Sequence, residues 1–282
     1  MIRGRPDGFH DIETVLQLVG LYDEVRLARR QAGIAIRVEG ADLPKGEENL
    51  AYRAAKLLLD RAGKPGGLSI SLTKRIPLGG GLGGGSSNAA AVLAGVNRLY
   101  GMGRSRQELQ GLAAEVGSDV PFFLGPALAL ATGRGEILRP LRPWPARWMV
   151  VANPRIAIST ACVYREASSK LTEWGGRGTI HPFLTDDLLP WPPLWAFNRL
   201  ESVVLPQQPE VAALKALLQA GGGSPALMSG SGASVFAVVP DANAGERLAA
   251  KARETGAFAV AVPTLPANPI GAWLTESASP GG

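Results

Sequence analysis

Apolar positions along this chain switch between two periods. Ile34, Ile36 and Val38 alternate with Ala35 and Arg37, and Leu68, Ile70 and Leu72 alternate with Ser69 and Ser71. A period of two puts one set of side chains on one face, so both stretches are predicted to be half-buried strands. Between them Leu50, Ala54, Leu57 and Leu58 recur at helical spacing from Asn49 to Ala62, and Gly63 supplies a stop. A second helix is predicted from Ser87 to about Tyr100. A third is announced by Ser105 and Glu108, spaced as a capping box, and stops at Gly117. Residues Phe9 to Val19 read as a strand after the turn signal Pro6-Asp7-Gly8. Later in the chain a helix fits Pro209–Ala220, a strand Ala233–Val239, a helix the residues after Asp241, and a strand Ala257–Val262. This order predicts a small α+β layer of its own. From Trp174 to Trp195 the chain is rich in Pro, Gly and Trp and lacks periodicity, as expected of a long irregular connection near a domain boundary. The tail from Thr264 is expected to fray.

Composition narrows the class. With 282 residues and 46% hydrophobic content the chain can fill two cores, and no repeat of solenoid length is present. No apolar run nears the ~18 residues of a membrane span, and the first residues carry no apolar stretch of the signal-peptide kind. One cysteine, Cys162, excludes an intrachain disulfide, and two histidines leave little for a zinc site. These features predict a soluble cytoplasmic protein. The net charge of +5 invites a nucleic-acid reading, but the arginines are scattered rather than gathered on one element. A solvated surface, or a field suited to anionic small substrates, explains them as well.

The strongest chemical signal is the run Pro77-Leu78-Gly79-Gly80-Gly81-Leu82-Gly83-Gly84-Gly85-Ser86-Ser87, between a predicted strand and an alanine-rich helix. Glycines admit positive φ and let a ligand approach the main chain, and free N–H groups at a helix start form an anion cradle. The expected ligand is a polyphosphate. Ser86 and Ser87 fit either as helix caps or as hydroxyls for phosphate or metal. No lysine lies between Gly79 and Ser87, which excludes a Walker A loop. Gly79, Gly81 and Gly84 satisfy the dinucleotide pattern, but a second helix follows where a Rossmann unit needs a strand.

Continued through Asn88-Ala89-Ala90, this run resembles the second motif of the GHMP small-molecule kinases. Three further stretches resemble those of the GHMP members acting on 4-diphosphocytidyl-2-C-methyl-D-erythritol: Gly4-Arg5-Pro6-Asp7-Gly8-Phe9-His10, Gly117-Ser118-Asp119-Val120-Pro121-Phe122-Phe123, and Leu227-Met228-Ser229-Gly230-Ser231-Gly232. The resemblance implies an α+β fold, with a ribosomal-S5-like N-terminal domain over residues 1–150 and a ferredoxin-like C-terminal domain over 151–282. It also implies a cleft active site, ATP with Mg2+, and phosphorylation of an alcohol in non-mevalonate isoprenoid biosynthesis. By the same resemblance Pro77 to Ser87 hold the ATP phosphates and Asn49 approaches the nucleotide base. Asp119 is the catalytic aspartate, Phe9 and His10 receive the cytosine ring, and Thr160 and Tyr164 form the other wall of that pocket. The Gly230-Ser231-Gly232 loop supports the glycine-rich segment. The metal ligands are not implied, and a monomer or weak dimer without nucleic-acid or membrane partners is expected. The residues also admit plainer readings: Asp119 as a helix cap or surface acid, Phe9 and Tyr164 as core, His10 as a backbone hydrogen-bonder.

The family's opening strand, of the form Ala-Lys-Ile-Asn-Leu, has no counterpart ahead of Pro6, where only Met1 to Arg5 stand. Its lysine works beside the catalytic aspartate, so the chain as written is expected to have little kinase activity. The alanine often found at the position of Gly80 is also absent, a change expected to be harmless.

Overall fold

The computed structural model describes residues 3–5, 10–63, 66–170, 188 and 196–275. In chain order the strands are β1 (Arg3–Gly4), β2 (His10–Asp11), β3 (Thr14–Gln17), β4 (Glu24–Arg30), β5 (Ile34–Glu39) and, after helix α1 (Leu50–Ala62), β6 (Gly67–Thr73). Helices α2 (Gly84–Leu99) and α3 (Arg106–Val116) and a 3-10 turn, Val120–Leu124, precede β7 (Leu128–Thr132), β8 (Ile137–Pro140) and β9 (Trp148–Asn153). Then come α4 (Thr160–Lys170), α5 (Glu201–Val204), α6 (Pro209–Ala220), β10 (Ala226–Met228), β11 (Val235–Val239), α7 (Ala242–Glu254), β12 (Phe258–Pro263) and α8 (Pro269–Thr275).

Two compact units are formed, each from three stretches of chain: Leu21–Ile76, Gly83–Ala129 and Ala267–Gly282 in one, Met1–Gly20, Pro77–Leu82 and Leu130–Pro266 in the other. The first is centred on α2. Its sheet has the order β4-β6-β5, with β6 antiparallel to β4 and parallel to β5, so β5-α1-β6 is a crossover unit. Ala51, Ala54, Ala55, Leu58 and Leu59 make the buried stripe of α1 at the spacing of one helix face. Helix α2 is buried over most of its circumference, and at Gly95 a side chain would collide with Leu27 of β4, so the sheet lies close against the helix. Asn49 caps α1 and Gly63, at φ 56°, ends it.

The second unit holds a four-stranded antiparallel sheet, β10-β11-β9-β12, whose core includes residues of α6 and α7. The chain order, with strand β9, helices, strands β10 and β11, helix α7 and strand β12, is the ferredoxin-like pattern. A three-stranded sheet, β3-β7-β8, belongs largely to the same unit. Trp144 is buried, and Trp148 packs half-buried on the core of this unit.

The structure differs from the sequence expectations in four places. Helix α2 starts at Gly84 rather than Ser87, because Gly83 at φ 66° serves as its N-terminal boundary and the next two glycines take helical geometry. The strand expected over Ala233–Val239 begins at Val235, and an unanticipated β10 pairs with it through Leu227↔Phe236. Instead of one strand from Phe9 to Val19, two short ones form, β2 and β3. The tail carries α8, anchored by Asn268: its Oδ1 accepts the Ile270 N–H (3.0 Å), while its Nδ2 donates to the carbonyls of Phe123 and Gly125 (2.9 Å each). The Pro6-Asp7-Gly8 turn, Phe9 and nearly all of the Trp174–Trp195 connection lie outside the described residues.

Candidate functional site

After β6 the glycine-rich segment crosses from one unit to the other, with Pro77–Leu82 in the second and Gly83 onward in the first. Gly79, Gly81 and Gly83 all have positive φ (59°, 69° and 66°), alternating along the turn. In the second unit the carbonyl of Gly80 accepts from the N–H of Ser234 (3.1 Å), and the carbonyl of Gly81 accepts from Ser229 Oγ (2.8 Å). In a trans peptide the N–H points opposite to the carbonyl. Fixing these two carbonyls on Ser234 and Ser229 therefore turns the amides of Gly81 and Leu82 the other way, as donors. Beneath the turn Asn153 and Ser234 are fully buried, and Asn153 Nδ2 donates to Ser234 Oγ (2.9 Å). A Cβ at Gly80 would lie 2.6 Å from that hydroxyl and 2.8 Å from that amide nitrogen. An alanine here would have to push that side-chain pair aside. Asn198 Nδ2 steadies the strand end by donating to the carbonyls of Met228 (2.8 Å) and Gly230 (2.7 Å).

In the first unit the N–H groups of Gly84, Gly85 and Ser86 open α2 with no carbonyl one turn back to receive them. Neither serine caps the helix. Ser87 Oγ donates to the Gly84 carbonyl (2.9 Å), and the Ser86 hydroxyl has no partner among the described residues. Asn49 uses Oδ1 to accept the Ala51 N–H (3.0 Å) and Nδ2 to donate to the Pro44 carbonyl (2.9 Å), so any contact with a base comes in addition to these.

Asp119 stands just ahead of the 3-10 turn, and its side chain makes no capping hydrogen bond. Among the described residues its carboxylate has neither a donor nor a cation. Solvent reaches it, yet neighbouring atoms crowd it enough that desolvation raises the carboxyl above its ordinary value.

In the second unit the structure brings His10 and Tyr164 together, their ring centroids 5.3 Å apart and tilted by 38°. His10 Nε2 meets Ser168 Oγ, and Ser168 Oγ donates to the Tyr164 carbonyl (2.9 Å). The hydroxyl has one proton and the carbonyl has none. Both contacts are hydrogen bonds only if Nε2 carries a hydrogen, and in the neutral imidazole Nδ1 is then the acceptor. Thr160 Oγ1 pairs with Ser231 Oγ (2.8 Å), linking the start of α4 to the serine-glycine loop. Sequence reasoning missed Ser168, Asn153, Ser234 and Asn198. None of the four carries a sequence signal of its own: Ser168 is one serine within α4, and the other three meet their partners only in the folded chain.

No group of three or more His, Cys, Asp or Glu side chains able to hold a metal occurs among the described residues. Mg2+ bound through phosphates needs only one or two protein oxygens, and the unpartnered Ser86 hydroxyl suits that role.

The chain matches two domain models: GHMP kinases N terminal domain over residues 49–125 and GHMP kinases C terminal over 192–257. This defines the class as the GHMP kinases. The 4-diphosphocytidyl-2-C-methyl-D-erythritol kinase of Pelobacter propionicus is 40% identical over 269 residues, 94% of each chain, and that of Geobacter sp. strain M21 is 42% identical over 263 residues, 93% of this chain and 92% of its own. A crystal structure of 4-(cytidine 5'-diphospho)-2C-methyl-D-erythritol kinase superposes with a TM-score of 0.78 at 36% identity, covering 93% of this chain and 94% of that one. The chain belongs to the 4-diphosphocytidyl-2-C-methyl-D-erythritol kinase family.

Proposed function

We propose that this protein transfers the γ-phosphoryl group of ATP to a hydroxyl of 4-diphosphocytidyl-2-C-methyl-D-erythritol. The observation that carries the reading is the tethering of the Gly80 and Gly81 carbonyls by Ser234 and Ser229. It frees consecutive amides as donors for phosphate oxygens without any cationic side chain in the loop. Pro77 to Ser87 hold the ATP phosphates, and the positive end of the α2 dipole adds to the attraction. Mg2+, held by the phosphates with the Ser86 hydroxyl, would neutralise charge on the transferring group.

Asp119 orients the attacking hydroxyl and takes its proton. The O–H bond breaks toward the carboxylate, a bond forms from that oxygen to the γ-phosphorus, and the bridging bond to the β-phosphate breaks to release ADP. Desolvation makes the carboxylate a better base than an ordinary aspartate, and such general-base help contributes about 10²–10⁴-fold. Tyr164 and His10, with Phe9, receive the cytosine. Thr160, fixed by Ser231, lines the start of α4 beside them. An aromatic face stacked on a base contributes ~1–3 kcal/mol. The lone pair on His10 Nδ1 suits the exocyclic amine of cytosine, a donor that uracil lacks.

The test is product formation from ATP and the cytidine substrate, read together with calorimetry of a non-hydrolysable ATP analogue. Binding of the analogue and ADP release that depends on the alcohol support the reading. RNA binding that falls with salt, with no ATP binding, contradicts it.

A further inference from the structure

Next to the exit of β6 one buried carboxylate holds residues on both sides of the glycine-rich segment. Asp23 and Lys74 form an ion pair with side chains only 1% and 3% exposed. Asp23 Oδ1 accepts the N–H groups of Arg75 (2.7 Å) and Ile76 (2.9 Å), the last residues before Pro77. Its Oδ2 accepts from Lys74 Nζ and from Asn88 Nδ2 (3.0 Å), and Lys74 Nζ also donates to Asn88 Oδ1 (3.0 Å). Asn88 lies in the second turn of α2 and is itself buried. A side chain at Gly84 would come within 3.3 Å of Lys74 Nζ, so the ammonium sits close against the first turn of that helix.

The proposed chemistry uses none of these three side chains. A buried ion pair is weak evidence for stability, because apolar residues of similar size often do as well. A different need is plain in the sequence. Six glycines in seven residues have almost no conformational preference of their own, and a ligand that has to order them loses affinity. Ordering them in advance requires both ends to be fixed.

We infer that Asp23 is a positioning residue of the nucleotide site. With Lys74 and Asn88 it sets the spacing between the end of β6 and the first turn of α2, and so pre-orders the segment strung between them. This rests on the reading that the segment holds the phosphates of ATP. The alcohol substrate makes no demand on that spacing, so its KM is independent of the clamp.

Two variants separate the roles. Asp23→Asn keeps an oxygen for the Arg75 and Ile76 amides but strips Lys74 of its counter-charge. Asn88→Ala removes only the tie to the helix and leaves the ion pair whole, so it stands alone if the first variant does not fold. Each is measured for affinity toward a non-hydrolysable ATP analogue, for KM of ATP and of the cytidine substrate, and for thermal midpoint. The expected result is a loss of nucleotide affinity of roughly tenfold to a hundredfold, the scale of a misplaced binding group, with KM for the alcohol within about twofold. A double variant no weaker than Asp23→Asn alone marks the three as one unit. Unchanged nucleotide affinity in Asn88→Ala overturns the inference. So does an equal loss for both substrates that follows the thermal midpoint, since that describes general loosening. A wild-type protein that does not bind the analogue overturns the underlying reading of the segment, and this inference with it.

Discussion

A carboxylate crowded by neighbouring atoms, with no donor or cation beside it, destabilises the fold once it ionises. Asp119 is in that position. Its folded-state pKa lies above the ordinary carboxyl value of ~3.9, so the native state holds the proton more tightly than the unfolded chain. Stability is then highest below that value and is lost as pH rises through the folded pKa. Asp119→Asn should therefore melt higher than wild type at pH 7 and alike at about pH 3, while turnover falls by ~10²–10⁴-fold. Lower melting at pH 7 would mean the carboxylate is stabilised by something in the fold. The acid limb of the kcat/KM profile should also lie above that of a free carboxyl and disappear in the variant. His10 supports a second test at this scale. Ser168→Ala removes the hydroxyl that fixes its tautomer, so selectivity for a cytidine over a uridine diphospho-alcohol should drop by about tenfold, one hydrogen bond's worth. Ring-nitrogen chemical shifts of His10 report the tautomer directly. Asp119 and His10 stand out as candidates in the sequence because they sit in ordered motifs. Ser168 was not, because a serine inside a helix looks like any solvated position until its neighbour across the fold is known.

At the scale of elements, caps made the sequence legible. Ser105 and Glu108 form the reciprocal pair their spacing announced, with Glu108 Oε2 accepting the Ser105 N–H (2.8 Å) and Ser105 Oγ accepting the Glu108 N–H (3.2 Å). Asp241 caps α7 by accepting the Ala244 N–H (2.8 Å), and α6 fills Pro209–Ala220. Where glycine replaces a cap, the boundary moved: α2 opens inside the glycine run because Gly83 needs no side chain to stop the helix behind it. Helix α8 announced itself through Asn268-Pro269, a cap followed by a first-turn proline, but the composition of the tail hid it. The glycine turn carries its own prediction. At Gly81, with φ 69°, a Cβ would collide with the Ser229 carbonyl. Gly81→Ala should raise KM for ATP by more than tenfold, since the turn cannot keep both its carbonyl bonds and its outward amides. Unchanged KM for ATP would show that the turn does not present those amides. Gly80→Ala is expected to cost stability through the buried Asn153–Ser234 pair, seen as a fall in the thermal midpoint against wild type.

For the molecule as a whole, the division into two units is discontinuous along the chain: residues 77–82 and 130–266 pack with the N-terminal stretch, and the C-terminal segment packs with α2. Local pattern cannot show this, because it depends on which sheet edge each strand meets. The charge of +5 invited a nucleic-acid reading, which the scattered arginines weaken, and no helix of the described residues is long and apolar enough to cross a membrane. A ligand that binds only the folded chain stabilises it by about 2.7 kcal/mol at a hundred times its Kd, so saturating ATP should raise the thermal midpoint and GTP should do so less. The most direct measurement is a single-turnover assay with the enzyme in excess over γ-labelled ATP, which registers even slow transfer. Label should appear on 4-diphosphocytidyl-2-C-methyl-D-erythritol, not on homoserine offered in its place, and its transfer should slow by ~10²–10⁴-fold with Asp119→Asn. Label on homoserine at an equal rate, or transfer at an undiminished rate in Asp119→Asn, would contradict the account.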